Sequence, residues 1–174
     1  MNKHVPYPVP SDEYARLEAL ASAAIINTPP ENALDVIVDL VSHIFSVPIA
    51  LVSLVSSDKQ IFKARVGLDV CETSRDVSFC THAMMEKDEV FVVPNAQRDL
   101  RFASNPLVTG SPFIRFYAGA PLIDFSGQPI GTLCIIDRKP RPALNEHDKL
   151  TLQKFARMVI LRMKFSEIME LSKV

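Results

Sequence analysis

The residues with the clearest chemical potential follow one another at alternate positions: Ser78, Cys80 and His82. They open the stretch Phe79–Glu86, which we expect to form a short helix, so their polar atoms could contact a small ligand. In the alternative interpretation, Ser78 only caps this helix and Cys80 packs as a small apolar group. A Cys-x-His pair is too sparse for a zinc site, which needs about four ligands. We predict no metal site and expect no cofactor.

A second polar group, Asp99, Arg101 and Asn105, lies in the long predicted loop Asn95–Gly110. These residues could contact a ligand at the rim of a pocket. The structural interpretation is favoured, because an Asp two residues from an Arg can fix a loop through an ion pair and side-chain to backbone hydrogen bonds. Phe102 is expected to fill the core rather than to stack on a ligand.

A predicted antiparallel hairpin follows this loop, with strands at Phe113–Leu122 and Gln128–Asp137. Both strands are rich in β-branched, aromatic and small residues, and a short Gly-containing loop connects them. Gly119 and Gly131 lie inside the strands, where glycine suggests a bulge or the close approach of another group. The hairpin therefore indicates the floor of a binding site.

Alternation along the first hairpin strand assigns its side chains to two faces. Arg115, Tyr117 and Gly119 would face a cavity, in which Tyr117 is an amphipathic wall and Gly119 leaves room for a ligand. Phe62 and Phe79 on other elements are further candidates for contact with a ligand. The face against the helices would receive Ile114, Phe116, Ala118 and Leu122.

The elements that hold these residues are predicted from hydrophobic periodicity and capping signals. The predicted helices run from about Asp12 to Ile26, from the capping box Thr28–Glu31 to about Phe45, and from Glu146 to beyond Glu170, with Asn145 as its cap. The other predicted strands are Pro48–Val55, Gln60–Val66 and Glu89–Val93. The apolar stripes of the first two helices would be Tyr14, Leu17, Ala21 and Ala24, and Leu34, Ile37, Val41 and Ile44.

Strands that are close in sequence and joined by tight connections favour an antiparallel sheet. The terminal helices would cover one face of this sheet, and the irregular middle, Leu68–Ser111, would cover the other face and enclose the site. Residues 1–10 are expected to form a flexible arm, and residues 11–174 a single domain with a long C-terminal helix.

Composition limits the class of function. The 174 residues are 48% apolar and carry a net charge of −1 without a run of like charges, so neither nucleic acid nor a membrane is an expected partner. No apolar stretch approaches the ~18 residues needed to cross a bilayer, and no secretory signal is visible. Three widely spaced cysteines point to reduced thiols and a cytoplasmic location.

The last predicted helix carries two apolar stripes. A helix that covers only its own sheet needs one stripe, so the second indicates a partner helix, and we predict a homodimer through the terminal helices. In the alternative, this helix is buried between the N-terminal helices and the sheet. The stripes are Leu152, Ala156, Val159 and Met163, and Met158, Leu161, Phe165 and Ile168.

Several short motifs occur in a fixed order along the chain. They are Thr28–Glu31, Gln60–Lys63, Ser78–Cys80 with His82, Asp99 with Arg101–Ala103, Asn105–Val108, Arg115–Leu122, and Ile130–Cys134 with Asp137. In these motifs the chain resembles the GAF domain, a small-molecule sensor module of bacterial signalling proteins. The resemblance implies an α+β, GAF-like fold with a central antiparallel sheet of five or six strands, terminal helices on one face, and loops and short helices over a ligand cavity on the other.

The resemblance is closest to GAF domains that precede diguanylate cyclase or histidine kinase output domains. It implies a small-molecule-binding regulatory domain in signal transduction, with an unknown ligand, an output domain or signalling partner, and no catalytic activity of its own. Asn95 stands where this subgroup usually has Asp. The Asn-Lys-Phe-Asp-Glu signature of cyclic-nucleotide GAF domains is absent, so a cyclic nucleotide is not the expected ligand.

Two other functions stay open at this point. Free-methionine-sulfoxide reductases share the GAF fold, and Cys71 and Cys80 resemble two of their cysteines, although the third has no counterpart in Asp99–Gly110. Alternatively, the chain is a dimerisation module with a filled cavity. The bulky side chains that could fill it are Phe62, Phe79, Phe102 and Tyr117.

Overall fold

A computed structural model describes residues 7–23, 28 and 31–173. Its helices are α1 (Glu13–Ser22), α2 (Asn32–Phe45), α3 (Phe79–Ala83), α4 (Pro106–Thr109) and α5 (Glu146–Leu171). Its strands are β1 (Ile49–Val55), β2 (Lys59–Val66), β3 (Glu72–Ser74), β4 (Phe91–Val93), β5 (Phe116–Ile123) and β6 (Pro129–Asp137). The sequence did not predict β3, which lies in the stretch expected to be irregular.

The strands form one antiparallel sheet in the order β3-β2-β1-β6-β5-β4. β1 lies inside the sheet and is buried along its whole length, as its continuous apolar sequence indicates. The hairpin of β5 and β6 is in register from Phe116 opposite Asp137 to Leu122 opposite Gly131. The predicted α+β class and the antiparallel sheet are confirmed.

Long helices cover one face of the sheet. α5 packs on β5, and α2 packs on β2 and β1. The core on this face is aliphatic and includes Val38 of α2, Leu133 of β6 and Val159 of α5, all at most 1% exposed. Asn145 caps α5 as predicted, because its side chain accepts a hydrogen bond from the Asp148 amide. Although α5 is long, no described helix is apolar enough over a sufficient length to cross a membrane.

The predicted start of α2 is wrong. The helix begins at Asn32, with Glu31 as its N-cap, and so starts later than predicted from Thr28–Glu31; the Glu31 side chain makes no capping hydrogen bond, and Pro29 and Pro30 lie outside the described residues. Ile44 is 49% exposed rather than buried, because the face of α2 that meets the sheet is rotated from the predicted stripe. The buried residues of α2 are Leu34, Val38 and Val41.

The predicted stripe of α1 is also wrong. Tyr14 is 74% exposed, and the buried side chains of this helix are Arg16 and Leu20. The helix ends at Ser22, and the predicted continuation over Ala24–Ile26 lies outside the described residues. A charged residue therefore takes the buried position that periodicity assigned to an apolar one.

Residues 67–115 connect β2 to β5 and, apart from the edge strands β3 and β4, pack on the second face of the sheet as loops and short helices. We call this layer the cover. Ile114 packs within it, which contradicts its predicted place against the long helices. The strand alternation does not reach Ile114, because β5 begins only at Phe116 and Phe113 has a positive φ of 60°.

The two strand glycines mark close approaches within the chain. A Cβ at Gly131 would lie 1.9 Å from the carbonyl oxygen of Ser53, so the β1 backbone occupies the space. A Cβ at Gly119 would lie 2.3 Å from the hydroxyl oxygen of Tyr117. The space at Gly119 is thus taken by the Tyr117 side chain and not, as predicted, left for a ligand.

Candidate functional site

A cavity of ≈ 170 Å³ lies between the cover and the sheet. The sheet contributes Ile49, Leu51, Gln60, Phe62, Thr73, Tyr117, Cys134 and Ile136, and the cover contributes Leu68, Val70, Phe79, Cys80, Leu107, Ser111, Pro112 and Ile114. Most of these side chains are apolar, and none of them is charged. Because Val70 and Ser111 are exposed, the cavity is open to solvent at these residues of the cover.

Polar side chains surround the sulfur of Cys80 on the buried side of the cavity. The hydroxyl of Thr132 donates to the Cys80 Sγ at 3.0 Å, and the hydroxyl of Tyr117 donates to it at 3.4 Å. Thr132 and Tyr117 are at most 1% exposed, and Cys80 is 2% exposed. This arrangement places hydrogen-bond donors around one sulfur in a dry environment, where each such bond is stronger than in water.

A second polar group joins the sheet to the cover through Gln60. Its side-chain oxygen accepts hydrogen bonds from Ser78 at 2.8 Å and from Ser53 at 3.3 Å, and its Nε2 donates to the Thr73 hydroxyl at 2.6 Å. Ser78 also caps α3, because its Oγ accepts from the Thr81 amide. Gln60 is 4% exposed, so these bonds satisfy a buried amide that would otherwise be costly.

Aromatic side chains fill the space beside the cavity. Phe79 and Phe102 stack with their ring centroids 4.0 Å apart, and Phe79 also contacts Tyr117 at 5.2 Å. Phe102 is 1% exposed, which confirms its predicted place in the core. These rings fill part of the layer between sheet and cover, and the cavity is the part that they leave open.

The two buried thiols of the cavity differ in acidity. Burial opposes ionisation of Cys80, but hydrogen bonding to its sulfur from Cys134, Thr132 and Tyr117 outweighs burial and lowers the pKa of Cys80 to about 6. The pKa of Cys134 is raised well above its ordinary value, because its thiol donates to Cys80 and because it is buried. A negative charge in this site would therefore be held on Cys80.

Four of the predicted ligand-binding residues line the cavity: Phe62, Phe79, Cys80 and Tyr117. Ser78 lies directly behind them, where it caps α3 and bonds to Gln60. Tyr117 faces the cover, as strand alternation predicted.

The remaining candidates lie away from the cavity. Asp99 and Arg101 form an ion pair at 2.6 Å on the surface of the cover, which is the structural role favoured from sequence. Arg101 lies over the ring of Phe91, with its Cζ 4.9 Å from the ring centroid. The ring of His82 packs edge-on against Phe102 at 4.7 Å, and burial together with the charge of Arg101 lowers the pKa of His82 to about 4.

Asn105 and Arg115 also have structural partners. The side chain of Asn105 caps α4 and donates to the carbonyl oxygen of Val77 at 3.0 Å. The Arg115 guanidinium, predicted to face the cavity, instead donates to the carbonyl oxygen of Val108 at 2.8 Å. Gly119, as described above, is covered by the ring of Tyr117.

Sequence reasoning missed several cavity residues, of which Gln60, Thr73, Ser111 and Cys134 are the polar ones. Gln60 could have been found, because it lies on the same strand face as the candidate Phe62, where a buried amide needs a partner. Cys134 could have been found from its strand pairing opposite Gly119 in the hairpin register. Among the described residues, no group of three His, Cys, Asp or Glu side chains could hold a metal ion.

A buried ion cluster joins the cover to α1 at the end of the sheet. Arg16 is 0% exposed and donates to Glu13 at 2.8 Å and to the carbonyl oxygen of Val55 at 2.7 Å. Arg75, which follows β3 in the cover, donates to the same Glu13 carboxylate and to the carbonyl oxygen of Ser56. Burial raises the pKa of Glu13, but the hydrogen bonds from both arginines outweigh it and lower the value to about 2.

Comparison with known proteins gives one family. The family described as GAF domain matches residues 29–163. A solved GAF domain of an Acinetobacter phosphoenolpyruvate-protein phosphotransferase is 17% identical, with a TM-score of 0.65 over 88% of this chain and 95% of that one. A free methionine-R-sulfoxide reductase of Neisseria meningitidis is 20% identical, with a TM-score of 0.63 over 94% of this chain and 98% of that one. At these identities the two structures show the fold alone.

A protein of Pseudomonas aeruginosa named cyclic di-GMP phosphodiesterase is 41% identical over 155 residues. The match covers 89% of this chain and 26% of that protein, so the chain spans about a quarter of the length of this relative. The name is that of an enzyme, and it contradicts the prediction that this chain is not an enzyme and has no catalytic activity of its own.

Proposed function

This chain belongs to the GAF domain family, and we propose that it is the ligand-binding regulatory domain of a bacterial enzyme that hydrolyses cyclic di-GMP. The 41% identity to a cyclic di-GMP phosphodiesterase supports the choice of enzyme. The phosphodiesterase activity is assigned to the protein that carries this domain. The proposed location is the cytoplasm, in keeping with its unpaired buried thiols.

The observation that carries the proposal is the ≈ 170 Å³ cavity between sheet and cover. Its walls are mainly apolar, and the buried polar groups are already paired, since Gln60 bonds to Ser53 and Thr73, and Tyr117 bonds to Cys80. A ligand would therefore be selected by shape and by burial of apolar surface rather than by charge. We propose a small, uncharged or weakly polar metabolite as the ligand class.

The size of the cavity distinguishes this ligand from the substrate of the enzyme. Pockets for drug-sized molecules measure about 300–1,000 Å³, and this cavity is smaller. A cyclic dinucleotide is larger than a drug-sized molecule and carries two phosphate charges. The cavity wall offers no cation to pair with these phosphates. The proposed ligand is thus an effector that differs from cyclic di-GMP.

Contacts at the edge of the sheet support a route from the cavity to the terminal helices. Thr73 of β3 lines the cavity, and Arg75, the first residue after this strand, bonds to Glu13 of α1. A ligand that favours one position of the cover would therefore favour one position of α1. We propose this edge contact as the link by which ligand occupancy reaches the terminal helices.

We also propose that the chain forms a homodimer through α5. The stripe Leu152, Ala156, Val159 and Met163 is buried against the domain, whereas the second stripe of α5 is about half exposed, from 49% at Met158 to 55% at Phe165. Neighbouring α2 exposes Val36, Leu40 and Ile44. Such an apolar surface on two helices fits a second copy with the same stripe.

Sedimentation at tens of micromolar tests the dimer, since a moderate helix interface dissociates roughly in this range. We expect a dimer for the wild-type chain and a monomer for Leu161→Glu with Phe165→Glu. The matched control is Lys173→Glu, which lies exposed just beyond the C-terminal end of α5 and leaves the stripe intact. A wild-type chain that sediments only as a monomer would refute this part of the proposal.

The regulatory proposal is tested in the protein that carries this domain. Hydrolysis of cyclic di-GMP is followed by chromatography with and without a metabolite that stabilises the domain. We expect the metabolite to change the rate, and Leu68→Phe, which narrows the cavity, to remove that change without altering the basal rate. An enzyme that binds the metabolite at this cavity yet hydrolyses cyclic di-GMP at an unchanged rate would contradict regulation.

Methionine sulfoxide belongs in the same metabolite panel, because solved reductases share this fold. Turnover of methionine sulfoxide that is abolished by Cys80→Ser would favour a reductase instead of a regulatory domain. Binding without turnover would leave the regulatory proposal in place and name its ligand.

A further inference from the structure

We propose that Cys80 and Cys134 form a reversible disulfide when a hydroperoxide enters the cavity, so that this pair is a redox-sensitive modification site. The inference does not depend on the proposed metabolite or enzyme. Cys80 belongs to α3 of the cover and Cys134 to β6 of the sheet, and both thiols line the same cavity. They lie close together, because Thr132, two residues before Cys134 on the same face of β6, donates a hydrogen bond to the sulfur of Cys80 at 3.0 Å.

The surroundings of the two sulfurs assign them different roles. Thr132 at 3.0 Å and Tyr117 at 3.4 Å both donate to the Cys80 sulfur and stabilise negative charge on it. The thiolate is the form of cysteine that reacts with peroxides, so Cys80 is the attacking thiol. The pKa of Cys80, lowered to about 6, agrees with this assignment, and the raised pKa of Cys134 keeps it protonated until it reacts.

The cavity gives a small oxidant access to a buried sulfur. Cys80 is 2% exposed, but its cavity reaches solvent beside Val70 and Ser111. A hydroperoxide is comparable in size to a few water molecules, whereas a protein thiol or a bulky disulfide cannot enter ≈ 170 Å³. The site therefore favours small peroxides over larger oxidants.

The reaction is balanced in two steps. The Cys80 thiolate attacks one oxygen of the hydroperoxide, the O–O bond breaks, and the leaving hydroxide or alkoxide takes a proton, which gives Cys80 sulfenic acid. The sulfur of Cys134 then attacks the Cys80 sulfur, the S–O bond breaks, and the hydroxyl group leaves as water with the Cys134 proton. The two cysteines lose two electrons, the peroxide gains them, and a dithiol small enough to enter the cavity returns them on reduction.

This pair differs from the one that the sequence suggested. Cys71 is exposed, lies next to β3 at the edge of the sheet, and does not line the cavity. Cys134 had no assigned role, because its position inside a buried strand made it look like an ordinary apolar residue. A bond from Cys80 to Cys134 would join the cover covalently to the sheet. A bond from Cys80 to Cys71 would instead join two positions that both lie within residues 67–115.

The test is peptide mapping of the folded chain after treatment with hydrogen peroxide, followed by alkylation of the remaining thiols. We expect the wild-type chain to lose two hydrogen atoms, to yield a cross-linked peptide pair that contains Cys80 and Cys134, and to recover both thiols with dithiothreitol. The matched control, Cys71→Ser, is expected to give the same cross-link. In Cys134→Ala the cross-link is replaced by a Cys80 sulfenic acid that dimedone traps.

A cross-link between Cys71 and Cys80, loss of the cross-link in Cys71→Ser, or overoxidation of Cys80 in the wild-type chain without any disulfide would each overturn the proposal. Circular dichroism establishes that each variant is folded. If Cys134→Ala does not fold, the wild-type and Cys71→Ser peptide maps still decide between the two cysteine pairs.

Discussion

The two faces of the sheet are covered in different ways. On one face the long helices α2 and α5 pack aliphatic side chains against Leu133 and its neighbours, all buried. On the other face, short helices and loops cover buried polar groups such as Gln60 and Thr132 and leave a cavity of ≈ 170 Å³. Because side chains alternate along each strand, the same strands serve both faces. The helical face thus provides most of the apolar packing, and the covered face keeps the space and polarity needed for binding.

The largest expected difference between the faces concerns removal of a buried leucine. Leu133→Ala should lower the free energy of unfolding by about 3–4 kcal/mol, because it opens a new cavity in a closely packed aliphatic core. Leu51→Ala should cost about 2 kcal/mol, because this side chain already borders the cavity and has fewer neighbours to lose. Urea unfolding of both variants measures the difference. Equal losses would indicate that the covered face is packed as tightly as the helical face.

The next effect concerns the ion cluster that joins the two layers. Glu13→Gln should lower the free energy of unfolding by about 2 kcal/mol, because it leaves the fully buried Arg16 without its carboxylate. The control is Glu18→Gln on the exposed side of α1. The difference in free energy of unfolding between these two variants should decrease on acidification. The folded pKa of Glu13 is about 2 and lies below its ordinary value of 4.5, so its contribution is full above pH 4.5 and is lost as the pH falls toward 2. An equal effect of both substitutions at pH 7 would contradict the role of this cluster.

The next prediction compares the free space on the two faces of the sheet through the cost of enlarging one side chain on each face. Ala120→Leu adds atoms to the aliphatic core and should cost about 1–3 kcal/mol through overpacking. Leu68→Phe adds atoms on the cavity wall and should change the free energy of unfolding by less than about 1 kcal/mol. Thermal and urea unfolding of the two variants provide the measurement. A large loss for Leu68→Phe would mean that the cavity cannot accept added atoms.

The smallest expected effect is a pH dependence confined to the cover. The folded pKa of His82 is about 4, below its ordinary value of 6.5, because the ring is partly buried and lies near Arg101. The unfolded chain therefore binds the proton more readily, so stability is full above pH 6.5 and decreases as the pH falls toward 4. His82→Gln should flatten this part of the pH profile of the free energy of unfolding. If the free energy of unfolding of the variant depends on pH between 6.5 and 4 as it does in the wild-type chain, His82 is not the source of this dependence.

The sheet and the long helix α5 were largely predictable from sequence, because they follow simple patterns, whereas the buried faces of α1 and α2 were not. The apolar run of β1, the hairpin and the Asn145 cap of α5 each have a local signal in neighbouring residues. The orientation of Tyr117 toward the cover also followed from alternation. These features depend on periodicity, which a single sequence contains.

The covered face was less predictable, because its contacts join residues that are distant in sequence. Arg16 is buried only because Glu13 and the carbonyl oxygen of Val55 pair with it, and Arg75 shares the same Glu13 carboxylate. Cys134 becomes a site residue only when Cys80 is placed opposite it. β3 has three residues with polar side chains, too few for a periodic signal, and it forms by pairing with β2. Long-range pairing of this kind has no signature in local composition.

The central claim is that the cavity between sheet and cover binds a small metabolite, and a thermal-shift comparison tests it most directly. The wild-type chain and Leu68→Phe are screened in parallel against amino acids, nucleotides and small carboxylic acids. A ligand present at 100 times its dissociation constant stabilises the folded state by about 2.7 kcal/mol, which gives a clear shift in the unfolding temperature. The account predicts that at least one compound shifts the wild-type chain and leaves Leu68→Phe unshifted. Equal shifts in both proteins, or no shift across the whole panel, would contradict it.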